Sequence, residues 1–107
     1  MSGIMGQKVS LGQANGPDVE LIVSGTALYA TYETLDGFPA IYDEDLGLFC
    51  YARIVAGRYE STGVLVTSPP PPAVDQHAKE SEEVRAARIR ERQAQMERRS
   101  QSTPRKD

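Results

Sequence analysis

The residue types that most often carry chemistry are scarce in this chain, which has one histidine and one cysteine among 107 residues. His77 has no second histidine and no glutamate at the spacing of an HExxH zinc motif, so we interpret it as a surface residue of a linker. Cys50 lies in an apolar run whose nearest basic residue in sequence is Arg53, which indicates a buried, unreactive thiol. A lone cysteine also excludes a disulfide within the chain.

Three consecutive acids at positions 43–45 are the other candidate for chemistry. They neither alternate with other residues nor end on a ligand glutamate as an EF-hand loop does, and acids are common in β-turns. No glycine-rich phosphate loop is present. The residues themselves therefore predict no catalytic residue, no metal ligand and no cofactor-binding residue, and the chain alone is not expected to be an enzyme.

The large apolar side chains are concentrated in residues 25–52, which hold both phenylalanines, four of the five tyrosines and the cysteine. Such aromatics can stack on a ligand, but a small sheet needs them for packing, and we favour packing. The residues concerned are Tyr29, Tyr32, Phe38, Tyr42, Phe49 and Tyr51.

Turn residues recur roughly every 8–12 residues between extended segments, which is typical of a small antiparallel sheet or a partly open barrel. Alternation is clearest at residues 26–34, and Pro39 should make the following segment an edge strand or pair it irregularly. Strands are predicted at residues 7–11, 19–23, 26–34, 38–42, 48–54 and 58–67, the last interrupted at Gly63.

The last third of the chain differs in character. Four prolines follow Ser68 and favour a stiff polyproline II spacer over a peptide ligand for an SH3 or WW domain. Acids with Ser81 as a possible cap precede a stretch of good helix formers that has no heptad seam, so we expect a solvated helix projecting from the sheet.

The sequence thus predicts an α+β fold, in which a small antiparallel β-sheet of about five or six short, hairpin-connected strands precedes a Pro-rich linker and one long polar C-terminal helix. The predicted divisions are a flexible N-terminus (1–6), a β-rich module (7–67), the linker (68–76), the charged helix (77–99) and a disordered tail (100–107).

Charge and hydropathy exclude two classes of partner. Residues 1–72 carry three basic residues against eight acidic ones, and residues 73–107 carry nine against seven. Such interleaved charge does not favour nucleic acid, which requires clustered and uncompensated cations. No run approaches the ~20 apolar residues of a membrane helix, and the N-terminal residues lack the apolar region of a signal peptide, so the compartment is left open.

The aromatic and glycine pattern resembles the N-terminal segment of secreted metalloproteases of the immune inhibitor A family. In that family a segment written roughly as Gly-Asp-Glu-x-x-His-x-Tyr-Glu-x-x-Asp-Gly-(Tyr/Phe) precedes the catalytic domain. The resemblance extends over residues 13–99 and includes the ending Glu80-Ser81 and Val84-Arg85 before an arginine-rich helix. The family-motif positions are Gly25, Tyr29, Tyr32, Glu33, Asp36, Gly37, Phe38, Tyr42, Gly47, Phe49, Tyr51 and Gly63.

This chain departs from the family pattern where Thr26-Ala27 replace Asp-Glu and where the family histidine is missing near Ala30. The sequence ends before any protease domain, so no catalytic residue can be carried over, and zinc would belong to the absent domain. The resemblance implies a non-catalytic, pro-domain-like module that assists folding of a metalloprotease domain or covers its cleft, in cis or in trans, or a fragment of such a protease. The alternative is a stand-alone protein-interaction module with no link to a protease.

Overall fold

A computed structural model describes the backbone of residues 4–101 and the side chains of residues 5–98. Six antiparallel strands, each paired with the next in sequence, form one sheet of order β1-β2-β3-β4-β5-β6, and one helix follows. The α+β fold and the number of strands predicted from the sequence are confirmed. The elements are β1 (Ile4–Gln13), β2 (Gly16–Gly25), β3 (Ala30–Glu33), β4 (Pro39–Asp43), β5 (Leu48–Val55), β6 (Arg58–Leu65) and α1 (Glu82–Gln101).

The tip of the β1–β2 hairpin folds back onto the β4–β5 turn. The hairpin reverses at Ala14-Asn15, and the Asn15 N–H and Nδ2 donate to the carbonyls of Gly47 (3.0 Å) and Leu46 (2.8 Å). The Gln13 side chain accepts a hydrogen bond from the Phe49 N–H at 2.6 Å. These contacts join the β1–β2 hairpin to the β4–β5 hairpin, and the hydrophobic core contains residues of both.

Phe49 lies at the centre of this core. Its ring meets those of Tyr32 and Tyr42 at centroid distances of 5.6 and 5.1 Å, with tilted and edge-on geometries that favour aromatic attraction. The core cluster comprises the buried residues Val19, Leu21, Ala40 and Phe49 together with the partly buried Leu11, Tyr32, Tyr42 and Val66. The interpretation of these aromatics as packing residues is therefore confirmed for this trio.

One prediction about the middle of the sheet is wrong, and of the two alternatives for Pro39 only the irregular, two-residue pairing with β3 agrees with the structure. The strand expected over residues 26–34 begins only at Ala30, because Thr26 and Tyr29 exchange backbone hydrogen bonds (2.8 and 3.2 Å) and close a turn. Pro39 is not on an edge strand, since β4 pairs with both β3 and β5. It is tolerated there because it is the first residue of β4, and the β5 ladder begins one residue later, at Ala40.

The linker and helix also differ from prediction. The segment 68–81 packs back onto the sheet: Val74 is buried, and the His77 N–H donates to the Gly37 carbonyl (2.8 Å). These contacts keep residues 77–81 out of the helix, which begins at Glu82. Ser81 is its cap as expected, because its hydroxyl accepts from the Val84 N–H at 3.2 Å.

The predicted ends of the chain need correction where the structure describes them. Residues 4–6, expected to be flexible, belong to β1, because that strand pairs with β2 as far as Ile4↔Gly25. The helix extends to Gln101, into the segment predicted to be disordered. The remainder of the two predicted terminal segments, residues 1–3 and 102–107, lies outside the described residues.

Candidate functional site

The most heavily bonded side chain described is Glu80, a carboxylate that is only 3% exposed at the end of the linker. Its Oε1 accepts from the Tyr29 hydroxyl (2.9 Å) and from Arg88 Nε (2.8 Å). Its Oε2 accepts from the Tyr59 backbone N–H (2.8 Å) and from Arg88 Nη2 (2.9 Å). We call these four residues the Glu80 anchor, because they tie the β2–β3 turn, β6 and α1 to one carboxylate.

The electrostatics of the anchor favour an ionised carboxylate. Burial alone raises the pKa of Glu80, but the hydrogen bonds from Arg88, Tyr59 and Tyr29 together outweigh burial and hold the pKa below its ordinary value. Burial and the Glu80 charge raise the pKa of the Tyr29 hydroxyl, and the same two causes raise the pKa of Tyr59 to about 12. Both tyrosines therefore remain neutral, and the Tyr29 hydroxyl remains a donor.

The anchor predicts how stability depends on pH. A carboxyl whose pKa is lower in the folded than in the unfolded chain stabilises the fold above its unfolded pKa, and this stabilisation is lost as the pH falls through the folded value. Glu80 is such a group, and so is Asp43, whose pKa is lowered by hydrogen bonds from Ser61 and the Leu46 N–H. We expect the free energy of unfolding to be nearly constant from about pH 7 to about pH 5 and to decrease as the pH is lowered further.

Urea denaturation across this range, in the parent chain and in Glu80→Gln, measures the effect. The variant retains Asp43, so its stability should still fall in acid, but by less than that of the parent. Identical pH profiles for the two chains would contradict this account of Glu80.

A cleft of about 420 Å³ opens beside the anchor, between the sheet and α1. Its floor is formed by the turn and strands from Leu28 to Tyr32 and from Ala40 to Tyr42, and its helical side by Arg88, Glu91, Arg92 and Gln95. Glu80 and Arg88 of the anchor belong to the lining of this cleft. We call this site the anchor cleft.

The tyrosines and phenylalanines of the family motif pack or bond within the fold. Tyr29 bonds Glu80, and Phe38 meets Tyr51 edge-on at 6.1 Å. The Tyr51 hydroxyl donates to the Ser68 carbonyl at 2.6 Å, and this bond holds the start of the linker. With Tyr32, Tyr42 and Phe49 in the core, the six aromatics form a scaffold, and only Tyr29, Tyr32 and Tyr42 also line the anchor cleft.

The remaining motif positions lie at turns, at a bulge or against the linker. Gly37 has φ +90°, which favours glycine, and a Cβ there would lie 2.7 Å from Cε1 of the exposed His77 ring. Asp36 accepts a hydrogen bond from Gln76 Nε2 through its backbone carbonyl (2.6 Å). Gly25 is the last residue of β2, and Gly47 completes the β4–β5 turn. Gly63 lies at the irregularity in the pairing of β6 with β5.

Glu33 and the only histidine come together, which the sequence did not predict. His77 Nδ1 lies 3.2 Å from both Glu33 carboxylate oxygens, and Lys79 Nζ lies 3.6 Å from one of them. The side chain of His77 is 67% exposed, as expected for a linker histidine. This contact joins the linker to the end of β3, across 44 residues of sequence.

The acids at 43–45 stabilise their own turn. Asp43 accepts from the Leu46 N–H (3.1 Å) and from the Ser61 hydroxyl (2.7 Å), which fixes the β4–β5 turn against β6. Within the described residues, no group of three or more His, Cys, Asp or Glu side chains is arranged to hold a metal ion.

Cys50 is fully buried, as predicted. Burial raises the pKa of its thiol, the Ser61 hydrogen bond lowers it in part, and the Asp43 charge raises it again. We therefore expect the folded chain to react with a thiol reagent such as DTNB at least about tenfold more slowly than the urea-unfolded chain. Equal rates would mean that Cys50 is accessible in the native state.

The sequence reasoning missed the anchor itself. The sequence predicts for Glu80 a place before the helix N-terminus and in the family pattern, but not a bond with Tyr29, which is 51 residues away. The available signal was local. Glu80 directly precedes the capping serine, and Arg88 follows eight residues later, two helical turns on, where it lies on the same side of the helix as the N-terminus.

Comparison with known proteins finds no matching family model, no matching curated protein and no matching solved structure. Among the described residues, no helix combines the length and the apolar composition needed to cross a membrane. The site must therefore be interpreted from its own geometry.

Proposed function

We propose that this chain is a non-catalytic, pro-domain-like binding module for a zinc metalloprotease domain of the immune inhibitor A type. It assists the folding of that domain or covers its cleft, either as a part of the same protein or as a separate chain. The zinc and the catalytic residues belong to the protease domain, and this chain contributes a binding surface.

One observation carries the proposal: the residues behind the resemblance interlock in a single unit. Tyr29 and Glu80, which are distant in sequence and both part of the resemblance, share a hydrogen bond in the anchor. Gly37 leaves room for the His77 ring, and the Tyr51 hydroxyl donates to the Ser68 carbonyl at the start of the linker. Residues that stabilise one another in this way belong to one folding unit. The similarity of their pattern to the protease family therefore supports the proposal that the family's N-terminal segment is a similar module.

The anchor also supports an arrangement in cis. The bonds from Arg88 to a buried carboxylate hold the first turns of α1 in a fixed position relative to the sheet. A folding assistant or cleft cover needs such a fixed geometry, because binding by a preorganised surface avoids the entropy of ordering it.

The proposal is tested by titrating the purified chain against an active metalloprotease catalytic domain of this family that lacks its own N-terminal segment. We expect saturable inhibition of peptide cleavage, or a higher yield of active enzyme when the domain is refolded with the chain. Glu60→Ala, which removes an exposed side chain that bonds Arg53 and takes no part in the anchor, serves as the control and should behave as the parent does.

Absence of both effects at saturating chain would reject the protease proposal. The chain would then be assigned to the alternative class, a stand-alone interaction module with an unrelated partner.

A further inference from the structure

Strands β3 and β4 separate before either strand ends. Their ladder consists of two pairs, Glu33↔Pro39 and Tyr32↔Ala40. In this register Ala30 would lie opposite Tyr42, yet no pair forms there, although both residues belong to strands. The sheet is therefore split along part of the β3–β4 boundary.

The backbone groups of Ala30 and Tyr42 point into this split. N–H and C=O groups of alternate residues in an antiparallel strand face the same neighbour. The Thr34 N–H donates to the Phe38 carbonyl across the β3–β4 loop at 2.8 Å. The backbone groups of residues 34, 32 and 30 therefore point toward β4, and those of residues 38, 40 and 42 point toward β3. Ala30 and Tyr42 thus both face the gap.

The outer ladders agree with this assignment. Thr26 and Tyr29 bond each other on the β2 side, so Ala30 faces away from β2. The Phe49 carbonyl accepts from the Val66 N–H (3.2 Å) on the far side of β5, so Phe49 and its pair partner Tyr42 do not bond each other. No ladder pair joins Ala30 to Tyr42 in the described residues, so the pairing toward which their backbone groups point is missing.

The split opens into the anchor cleft, because the strand residues that line the cleft are those on its two sides. The cleft therefore combines open backbone donors and acceptors with about 420 Å³ of space. Groups of this kind bind an extended polypeptide, whose own backbone donors and acceptors complete the ladder.

The helical side of the cleft adds a charge preference. Arg88 is committed to Glu80, whereas Arg92 lines the anchor cleft and a neighbouring pocket at Thr26–Tyr32 and forms no ion pair within the described residues. Glu91 also lines the cleft, which disfavours a run of acids in the ligand. The complementary segment carries one acidic side chain, placed at Arg92.

We propose that the β3–β4 split is a docking slot for an extended segment of a partner polypeptide, which pairs with the backbone of Ala30 and Tyr42 and places one acidic side chain against Arg92. This inference deepens the proposed function by naming the binding surface, and it depends on that function only for the identity of the partner.

The probe is a displayed library of random heptapeptides, selected on the immobilised full chain. We expect enrichment of sequences in which β-branched residues occupy every second position and one residue is aspartate or glutamate. Addition of an enriched peptide should shift the amide NMR signals of Ala30 and Tyr42 and slow their hydrogen exchange, which should be fast in the free chain.

Two variants and one control locate the binding. Ala30→Pro removes one donor into the slot, a donor that the sheet itself does not use, and should weaken binding about tenfold. Arg92→Glu reverses the charge of an exposed helical side chain and should also weaken peptide binding. This substitution leaves the core unchanged. Arg90→Glu makes the same change at an exposed position that does not line the cleft, and should leave affinity unchanged.

Several results would overturn the proposal. One is a lack of enrichment over the bare support, and another is equal binding of the selected peptides to the parent, Ala30→Pro and Arg92→Glu. A third is slow exchange of the Ala30 and Tyr42 amides in the free chain, which would mean that the strands close on each other. Self-association of the parent that Ala30→Pro abolishes would assign the slot to a second copy instead.

Failure here is distinguishable from failure of the proposed function. Random peptides test the slot without any protease, and inhibition or refolding of a protease tests the partner without any assumption about the slot.

Discussion

Replacing Glu80 with alanine is expected to lower the free energy of unfolding by about 3 kcal/mol, a large share of the stability of a small domain. The substitution leaves the Tyr29 hydroxyl and the Tyr59 N–H without an acceptor, and it leaves the Arg88 guanidinium without its counter-charge. The Arg88 side chain is 42% exposed and can be partly rehydrated, which keeps the loss near the lower end of the range for broken buried pairs.

Glu60→Ala is the matched control for this prediction. Glu60 also bonds an arginine through two nitrogens, Arg53 Nε at 3.0 Å and Nη2 at 2.8 Å, but its side chain is 51% exposed. Exposed pairs contribute at most about 1 kcal/mol. Urea denaturation followed by circular dichroism compares the two variants, and equal losses would mean that the anchor contributes no more than a surface ion pair.

Replacing Gly25 with alanine is expected to be the most damaging change at a glycine, with a loss of about 3 kcal/mol. Gly25 has φ +121°, and a Cβ there would lie against the Tyr29 carbonyl oxygen and 2.8 Å from the Ala30 Cα. Both obstacles are backbone, so no rotamer change relieves them. The Thr26–Tyr29 turn would have to open, and Tyr29 would move away from Glu80.

Gly63→Ala separates the steric effect from the conformational one. Gly63 also has positive φ, +77°, but no atom lies within 4 Å of the place where its Cβ would be. Its replacement should therefore lose only about 1 kcal/mol, the penalty of the left-handed backbone. If both alanine variants lose the same stability in urea denaturation, the close approach at Gly25 is not the cause of its sensitivity.

The sheet could be predicted from sequence where local signals agree. β5 alternates between Gly47 and Gly57, two turn glycines, and the structure places it within one residue of the prediction. The prediction failed at residues 26–29, because the alternation of Leu28, Ala30 and Tyr32 continues through a turn that contains no Pro, Asn or Asp. That turn is stabilised instead by a backbone pair and by the Thr26 hydroxyl, which accepts from the Leu28 N–H.

The candidate site could not be predicted because its parts are joined only by tertiary structure. Tyr29, Tyr59 and Glu80 come from a turn, a strand and a linker, and no periodicity relates them. The β3–β4 split is equally invisible in the sequence, because hydrophobic alternation predicts which face a residue occupies and not whether neighbouring strands stay paired.

Calorimetric titration of this chain and its Glu80→Gln variant into a metalloprotease catalytic domain of the immune inhibitor A type tests the central claim most directly. The account predicts saturable binding by the parent chain, weaker binding by Glu80→Gln because the helix is no longer held, and unchanged binding by the Glu60→Gln control. Absence of binding by the parent at saturating concentration would contradict the proposed function, and equal affinities of parent and Glu80→Gln would contradict the role of the anchor.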